Sequence, residues 1–195
     1  MELIFATNNK HKGDEVQSIV PKFIKIISLK EAGINIDIPE PYETLKENAA
    51  EKGRKIYALT GKNCFGEDTG LEVTALNGEP GVYSARYAGE NKSSEHNVEK
   101  LLLNLKPYQD RSAQFRTVIF LIHDNREYFF EGICKGSIAF EAAGNKGFGY
   151  DPVFIPNGAN ITFAEMTLQE KNIYSHRKIA MNKLVTFLNQ LPLKK

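Results

Sequence analysis

The chain opens with a short apolar run, Leu3-Ile4-Phe5-Ala6, which stops at the polar residues Thr7-Asn8-Asn9. An apolar run bounded in this way predicts a buried strand that ends in a polar loop. A helix is predicted from Lys10 to about Val20, and Pro21 closes it. Apolar residues that alternate with lysines predict a second strand from Phe23 to Leu29. A strand, a helix and a strand in succession favour an α/β fold.

The middle of the chain predicts a second helix and two short extended segments. Thr44 and Glu47 have the spacing of a capping box, in which each side chain satisfies a free backbone N–H. Gly61 stands where a C-terminal cap of that helix is expected. One extended segment is predicted to end before the polar residues Glu67-Asp68-Thr69-Gly70, and another runs from Leu71 to Ala75.

Further strands and helices are predicted in the second half. The best strand candidates run from Gln114 to His123 and from Arg126 to Phe140, and Asp124-Asn125 between them predicts a hairpin turn. Helical spacing extends from Ser93 to Leu105 and resumes after Ser175, which is expected to cap the last helix. Strand-rich stretches separated by helices predict a mixed sheet, not a wholly parallel one.

The composition limits the classes of partner. The 195 residues include 25 Lys plus Arg and 24 Asp plus Glu, which gives a formal net charge of +1, and 42% of them are hydrophobic. This balance argues against a broad nucleic-acid-binding surface and against a disordered polyelectrolyte. No linker-like stretch divides the chain, so residues 1–195 are expected to form a single domain.

Cysteine usage and hydropathy predict a soluble, cytoplasmic protein. Cys64 and Cys134 are far apart and show no zinc-ligand spacing, so both are expected to be reduced, buried thiols. The first residues do not have the pattern of a signal peptide. No stretch approaches the roughly 20 apolar residues that a membrane span requires.

The first candidate site is the polar loop and helix start Thr7-Asn8-Asn9-Lys10-His11-Lys12. Free N–H groups and the positive end of the helix dipole favour anions there, and the Thr, Asn and Lys side chains add donors and charge. The segment is not a P-loop, because G-x-x-x-x-G-K-[ST] is absent from the sequence. A capped helix with solvated lysines is the alternative interpretation.

The second candidate is Glu67-Asp68-Thr69-Gly70. Two adjacent carboxylates after a buried run are costly unless a cation offsets their charge, and Mg²⁺ needs only one or two carboxylates in addition to water. Glu40 and Glu43 are further carboxylates from the preceding loop. The alternative is an exposed acidic turn closed by Gly70.

Two further candidates lie near the C-terminal helices. Glycines flank an aromatic residue in Gly147-Phe148-Gly149-Tyr150-Asp151-Pro152, which would allow close approach to a flat ligand and stacking on Phe148. Lys171 and Ser175-His176-Arg177 surround a predicted helix start, where Arg177 offers a fixed fork of donors. An ordinary glycine-rich turn and a solvated basic helix terminus are the respective alternatives.

The order of these motifs is more specific than any one of them. The motifs, in order, are Ala6-Thr7-x-Asn9-x-x-Lys12, Glu47-Asn48-Ala49, Glu67-Asp68-Thr69-Gly70-Leu71, Pro80-Gly81-x-x-Ser84-Ala85-Arg86-Tyr87, Gly147-Phe148-Gly149-Tyr150-Asp151-Pro152 and Ser175-His176-Arg177. From about Leu3 to about Leu188 the sequence resembles the inosine triphosphate pyrophosphatase family. Within that family it is most similar to the bacterial Ham1-type dITP/XTP pyrophosphatases.

The resemblance implies an α/β fold with an elongated, twisted mixed sheet, whose flanking helices form two lobes around a central cleft. It also implies Mg²⁺-dependent hydrolysis of non-standard purine nucleoside triphosphates (ITP, dITP and XTP) to the monophosphate and pyrophosphate, which would clean the nucleotide pool. The family is usually a homodimer. Neither a nucleic-acid partner nor a membrane is expected.

The resemblance also assigns roles to residues of this chain. Asp68 would be the general base, and Glu40 and Asp68 would hold the metal, with Glu67 as a close neighbour and Glu43 as an alternative to Glu40. The substrate-binding positions would be Thr7, Asn9, Lys12, Lys52, Thr69, Phe148, Gly149, Tyr150, Asp151, Lys171, His176 and Arg177. Arg177 is the predicted donor to the 6-keto oxygen of the base, a contact that adenine could not satisfy.

Two rival functions remain open. A related pyrophosphatase of the Maf type would act on modified pyrimidine triphosphates, and a substrate panel would separate it from the purine branch. A non-enzymatic nucleotide- or nucleic-acid-binding module would bind without Mg²⁺ and without pyrophosphate release. The acidic pair Glu67-Asp68 and the lack of a basic-aromatic stripe argue against the second rival.

Overall fold

The computed structural model of the protein describes residues 1–191. Its helices are α1 (Lys10–Ile19), α2 (Leu45–Thr60), α3 (Ser94–Leu105), α4 (Leu168–Tyr174) and α5 (His176–Gln190). Its strands are β1 (Glu2–Phe5), β2 (Lys25–Ser28), β3 (Cys64–Val73), β4 (Pro80–Gly81), β5 (Ser112–His123), β6 (Arg126–Ile138) and β7 (Phe154–Pro156). Across this part of the chain, no helix is both long enough and apolar enough to span a bilayer.

The strands form a mixed sheet, as the sequence predicts. Within residues 1–191 the sheet has seven strands in the order β2-β1-β3-β5-β6-β7, and β4 pairs with β3. β1 is parallel to both β2 and β3, whereas the pairs β3/β4 and β6/β7 are antiparallel. The α/β class with a mixed sheet is therefore confirmed.

The hairpin between β5 and β6 is also confirmed. Asp124 and Asn125 both have positive φ angles, of 50° and 61°. Two consecutive residues in this region match the right-handed twist of the flanking strands, and Asn and Asp tolerate it better than most residues. The sequence therefore identifies both this turn and the strands beside it.

The chain divides into two compact units. The first unit contains Met1–Asp68, Thr117–Gly132 and the described residues from Arg177 onwards, and the second contains Thr69–Arg116 and Ile133–His176. Strands β3, β5 and β6 each contribute residues to both units. The single domain without a linker and the central cleft both stay predictions.

Each unit has its own apolar core. The core of the first unit joins residues of β1, α1, β3, β5 and α5, among them Leu3, Val16, Phe65, Ile119 and Leu184. The core of the second unit contains residues of β3, α3, β5 and β6 together with the segment around β7. Burial of these side chains, at about 1.5–3 kcal/mol each, is the main favourable contribution to folding.

One helix start differs from its prediction, and another has no counterpart among the predicted helices. Thr44 caps α2 as predicted, because its hydroxyl accepts the Glu47 backbone N–H at 3.2 Å. Glu47 does not complete the predicted reciprocal pattern, since its carboxylate accepts from the Thr44 hydroxyl instead, at 2.6 Å. The complete capping box lies at Thr167 and Glu170, at the start of α4, a helix that the sequence pattern did not predict.

The segment Glu67-Asp68-Thr69-Gly70 does not interrupt the sheet, contrary to the prediction. β3 runs without a break from Cys64 to Val73, and Glu67 and Asp68 are both buried within it. Both buried carboxylates have cationic partners distant in sequence, since Lys52 pairs with Asp68 and Arg177 pairs with Glu67. The alternative of an exposed acidic turn is therefore wrong.

Candidate active site

The register of the parallel strands brings the first two candidate segments together in the first unit. Ile4 is opposite Cys64 and Phe5 is opposite Phe65, and the next backbone N–H, that of Ala6, donates to the Phe65 carbonyl at 2.8 Å. The loop that begins at Thr7 therefore lies at the same end of the sheet as Glu67 and Asp68. Carboxyl ends of parallel strands are the usual ligand-binding edge of α/β sheets.

The loop after β1 is fixed by its own side chains. The Asn9 backbone N–H donates to the Thr7 hydroxyl at 3.1 Å, and the Asn9 side-chain oxygen caps α1 by accepting the Lys12 backbone N–H at 3.2 Å. The Asn8 amide donates to the Ile36 carbonyl at 2.9 Å. Thr7, Asn9 and Lys12 thus occupy a capped helix N-terminus, as the sequence predicts. Their binding of phosphate stays a prediction.

Glycines bring α2 unusually close to β3. A Cβ atom on Gly66 would overlap the Ala49 carbonyl oxygen and would lie 2.8 Å from the Gly53 nitrogen. A Cβ atom on Gly53 would in turn overlap the Phe120 ring. Because neither residue has a side chain, the helix rests on the strand and Lys52, the neighbour of Gly53, reaches the carboxylates of β3.

The ammonium group of Lys52 is bound by three oxygens. It donates to the Glu67 backbone carbonyl at 3.0 Å and to Oδ1 of Asp68 at 2.8 Å, and it forms an ion pair with Oε1 of Glu40. An ammonium has three N–H donors, so these acceptors can use all of them. Burial favours the neutral amine, but Asp68 and Glu40 outweigh it and raise the pKa of Lys52. Lys52 therefore stays charged.

Asp68 has one bound and one open oxygen. Oδ1 accepts from Lys52, whereas Oδ2 is buried and has no hydrogen-bond partner among residues 1–191. Burial raises the pKa of Asp68, Lys52 and Lys12 partly oppose that shift, and the neighbouring Glu40 carboxylate adds to it. The pKa shifts of Lys52 and Asp68 are not symmetric. Two carboxylates raise the pKa of Lys52, whereas Asp68 shares Lys52 with Glu40.

Arg177 joins two buried carboxylates of the first unit. Its Nε and Nη2 donate to the two oxygens of Glu67, each at 2.9 Å, and Nη1 donates to Oε2 of Glu15. Burial favours the neutral guanidine, yet Glu67 and Glu15 raise the pKa of Arg177, which is 1% exposed. Lys12 adds a further cation at 3.3 Å from Oε1 of Glu67. This arrangement gives no support to Arg177 as a donor to the base, a role that stays a prediction.

Both carboxylate oxygens of Glu67, the possible additional metal ligand, are bound by Arg177. The side chain of Glu67 is fully buried. A bidentate carboxylate–guanidinium pair of this kind is among the stronger hydrogen-bonded contacts in proteins. Its secondary role as a metal ligand stays a prediction.

One carboxylate oxygen among these charged side chains, Oδ2 of Asp68, suits a hard cation. The first-unit cluster has four carboxylates, from Glu15, Glu40, Glu67 and Asp68, and three cations, from Lys12, Lys52 and Arg177. The open Oδ2 of Asp68 supplies an oxygen ligand of the kind that Mg²⁺ prefers.

The protein alone does not enclose a metal ion. No group of three or more His, Cys, Asp or Glu residues in the described chain is arranged to hold one. Mg²⁺ often binds through one or two carboxylates and completes its shell with water and substrate phosphates. Glu40, at 26% side-chain exposure, and Asp68, at 8%, fit such a site.

In the second unit, the predicted base-binding segment is folded around a buried ion pair. Lys171 Nζ donates to Oδ2 of Asp151 at 2.6 Å, and the same oxygen accepts the Phe148 backbone N–H at 2.9 Å. The Lys171 ammonium also lies 5.2 Å from the Phe148 ring centre. A Cβ atom on Gly147 would overlap the Asp151 carboxylate. Gly147 therefore makes room for an internal carboxylate of its own segment.

Other predicted base-binding side chains are packed inside the second unit. His176 is 3% exposed and stacks on Phe115, with ring centres 4.6 Å apart. Tyr150 is also 3% exposed, and its hydroxyl donates to the Ser84 carbonyl at 2.9 Å. Gly149 has open space around its Cα, and Thr69 is half-buried on β3. Phe148, Gly149, Tyr150, Asp151, Lys171, His176 and Thr69 keep their substrate roles as predictions.

Sequence reasoning missed Glu15, the second carboxylate on Arg177. Its position in the helix is the available signal. Glu15 is three residues after Lys12 and adjacent to Val16, and Glu15 and Val16 are the buried residues of α1. A charged residue at a core-facing helical position is rarely buried without a partner. That pattern would have predicted a buried cation nearby, although not its identity.

The fold and these side chains define an α/β protein with an acid–base cluster beside the carboxyl end of β1, where buried carboxylates of β3 meet the start of α1. The family model described as the Ham1 family matches residues 3–187, and the chain belongs to that family.

The relatives match over nearly their whole length. A protein of Christiangramia forsetii named dITP/XTP pyrophosphatase is 50% identical over 190 residues, which cover 97% of this chain and all of the relative. The same name is given to a protein of Porphyromonas gingivalis that is 50% identical and covers 96% of this chain and 97% of its own. The structure of a HAM1 protein from Coxiella burnetii is 38% identical and superposes with a TM-score of 0.89, covering 98% of this chain and 100% of that chain.

Proposed function

We propose that this protein hydrolyses non-standard purine nucleoside triphosphates, namely dITP, XTP and ITP, to the nucleoside monophosphate and pyrophosphate. The name shared by its relatives, dITP/XTP pyrophosphatase, supports the substrate class. The observation that carries the proposal is Oδ2 of Asp68, a buried carboxylate oxygen that has no hydrogen-bond partner in the described residues, while Oδ1 of the same group is bound by Lys52. Such an oxygen can accept a proton from an attacking water.

Asp68 is the general base in this proposal. Lys52 holds the carboxylate through Oδ1, which leaves Oδ2 as the oxygen that would take the proton from the attacking water. Burial raises the pKa of Asp68 in the protein without metal, which favours uptake of a proton by its carboxylate. Burial therefore favours proton uptake, and the contact with Lys52 leaves Oδ2 as the oxygen that would receive the proton.

In this proposal, the ammonium groups of Lys12 and Lys52 bind the phosphate oxygens of the substrate. Glu40 is the more exposed of the two carboxylates on Lys52, so an arriving phosphate oxygen can replace Glu40 more easily than Asp68. The released Glu40 carboxylate would then be available, with Asp68, to hold Mg²⁺. When bound, Mg²⁺ would neutralise charge on the phosphate oxygens.

The roles of the second-unit residues belong to the same proposal. Phe148, Gly149, Asp151 and Lys171 are proposed to form the base-binding segment, since the Asp151–Lys171 pair fixes the backbone that carries Phe148. A homodimer is proposed on the resemblance alone, and a cytoplasmic location on the cysteine usage and hydropathy of the sequence.

A substrate panel tests the proposed function. The purified protein is incubated with Mg²⁺ and dITP, XTP, ITP, dATP, dGTP or a modified pyrimidine triphosphate, and the products are separated by ion exchange. Monophosphate plus pyrophosphate from the inosine and xanthosine substrates is the expected result. Preference for a modified pyrimidine would favour the Maf-type rival, and binding without product would favour the non-enzymatic one.

A further inference from the structure

The motif Pro80-Gly81-x-x-Ser84-Ala85-Arg86-Tyr87 is not used by the proposed mechanism, yet its central residue makes an unusual set of contacts. Ser84 lies in a short 3-10 turn after β4, in the second unit. Its hydroxyl accepts the Leu71 backbone N–H at 2.9 Å and donates to the Gly81 carbonyl at 2.6 Å. Its carbonyl accepts from the Tyr150 hydroxyl at 2.9 Å and from the Asn97 amide at 3.3 Å.

These contacts connect three segments of the second unit. Leu71 is in β3, Asn97 is in α3, and Tyr150 is in the proposed base-binding segment. We call Ser84 and its three partners Leu71, Asn97 and Tyr150 the Ser84 junction. Leu71, Tyr150 and Asn97 are buried, at 0%, 3% and 4% exposure, and Ser84 is half-buried. Hydrogen bonds in such surroundings are costly to leave unmade.

The β3 side of the Ser84 junction is held tightly. A Cβ atom on Gly70 would lie 2.6 Å from the Gly81 carbonyl oxygen, so the loop that carries Ser84 rests directly on the strand. Gly70 and Leu71 immediately follow Thr69, a proposed substrate contact. The backbone on the C-terminal side of Thr69 is therefore fixed by a close contact and by a hydrogen bond to Ser84.

The other side of the junction reaches the base-binding segment through a single hydroxyl. The Tyr150 ring packs in the core of the second unit, and its hydroxyl is the group that reaches Ser84. The neighbouring Asp151 is fixed from the opposite direction by Lys171. Tyr150 thus has its side chain directed into the protein, while its backbone belongs to the segment proposed to meet the base.

We propose that Ser84 and Tyr150 are positioning residues for base recognition, which hold Thr69 and residues 148–151 in one fixed arrangement. The proposal rests on the proposed function, and it gives Tyr150 a role that does not require its side chain to touch the substrate. Recognition groups must be held to within about 0.5 Å of their productive geometry, and residues behind them supply that rigidity. Loss of the junction should therefore weaken discrimination between bases as well as binding.

Tyr150→Phe is the most direct test, because it removes one hydroxyl and keeps the ring in the core. The matched control is Tyr87→Phe, since Tyr87 is another buried tyrosine of the second unit whose hydroxyl bonds to Glu79 and Asn104 and not to the junction. Steady-state kcat and KM are measured for dITP and dGTP, and thermal unfolding reports the stability of each variant. Ser84→Ala, which keeps the carbonyl but removes the hydroxyl bond to Leu71, is the second variant.

The expected result is a rise in KM for dITP of about fivefold to tenfold in Tyr150→Phe, the size of one lost buried hydrogen bond. The ratio of kcat/KM for dITP over dGTP should fall, and Ser84→Ala should change in the same direction. Tyr87→Phe should lose a similar amount of stability, but it should keep the KM for dITP and the dITP/dGTP selectivity of the unmodified protein. Equal KM and equal selectivity in the Tyr150 and Tyr87 variants would overturn the positioning role. An unmodified protein that releases no pyrophosphate would overturn the proposed function, and this inference with it.

Discussion

Lys52 donates to one oxygen of Asp68 at 2.8 Å, and the other oxygen of that carboxylate has no hydrogen-bond partner in the described residues. The two oxygens therefore have different environments, although they belong to one group. A buried polar atom without a partner is rare in a native protein and calls for an explanation. A water or a metal ion that arrives with the substrate is the explanation that the proposed function supplies.

Asp68→Asn should lower the rate of pyrophosphate release from dITP by about 10²- to 10⁴-fold, because an amide cannot take a proton from water. The side chain keeps its size, so the folded state is expected to survive, as thermal unfolding would report. The exposed Asp110 provides the same substitution away from the site, and Asp110→Asn should keep full activity. Near-normal turnover by a folded Asp68→Asn protein would disprove the general-base role.

Removal of divalent metal should abolish activity, and Mg²⁺ should restore it. Glu40→Gln should raise the Mg²⁺ concentration for half-maximal rate by about tenfold or more, since one oxygen ligand loses its charge. Glu43 is exposed and lies three residues further along the same loop, so Glu43→Gln is the matched control and should leave the metal requirement unchanged. If instead Glu43→Gln shifted the Mg²⁺ dependence and Glu40→Gln did not, the ligand would be Glu43.

Arg177→Ala should destabilise the protein by about 3–5 kcal/mol, because it leaves the buried Glu67 and Glu15 without their guanidinium. The free energy of unfolding from denaturant titration measures this effect. Arg54 also makes a two-bond pair, with Glu127 at 2.7 and 2.8 Å, but that pair is largely exposed. Arg54→Ala should therefore cost less than about 1 kcal/mol.

The same Arg177 variant tests the predicted contact with the base. If Arg177 reads the 6-keto oxygen, Arg177→Ala should reduce turnover of ITP much more than turnover of ATP. Its observed partners are carboxylates, so we expect both rates to fall together. Selective loss of ITP turnover in a protein that is still folded would restore the donor role that the resemblance implies.

The parts of the site that follow from local sequence were predictable. The apolar run before Thr7, the cap at Thr44 and the turn at Asp124-Asn125 each depend on a few adjacent residues with strong conformational preferences. The sequence also indicated that the first candidate segment begins a helix, and Asn9 does cap α1.

The parts that depend on long-range pairing were not predictable. The buried Glu67 of β3 is paired with Arg177, which is 110 residues away in the chain, and no local pattern indicates that pairing. Gly147 makes room for the Asp151 carboxylate, which binds Lys171 from a later helix. The pairing of these charged residues depends on partners from other elements, which local sequence does not reveal.

The two glycines between α2 and β3 lead to a prediction about how the site is built. Gly53→Ala should destabilise the protein by about 1–3 kcal/mol, because its Cβ would overlap the Phe120 ring. It should also lower activity, since the helix must move outward and carry Lys52 away from Asp68. Gly13 is also inside a helix, but a Cβ atom there would meet nothing within 4 Å, so Gly13→Ala should stabilise by about 0.5–1 kcal/mol. A stabilising effect of both substitutions would show that α2 does not need its close approach to the strand.

The buried thiols predict how stability changes at alkaline pH. Burial raises the pKa of Cys64 and of Cys134 to about 12, from an ordinary value of 9.0. Below pH 9 the folded and unfolded states both keep these protons, so the contribution to stability is complete. Between pH 9 and about 12 the unfolded thiols ionise first, and stability falls by at most about 1.4 kcal/mol per thiol per pH unit. Denaturant titrations from pH 8 to pH 10.5 should therefore give a shallower decline for the double variant Cys64→Ala, Cys134→Ala than for the unmodified protein, because other titrating groups are common to both. Parallel declines would mean that the thiols do not retain their protons through burial.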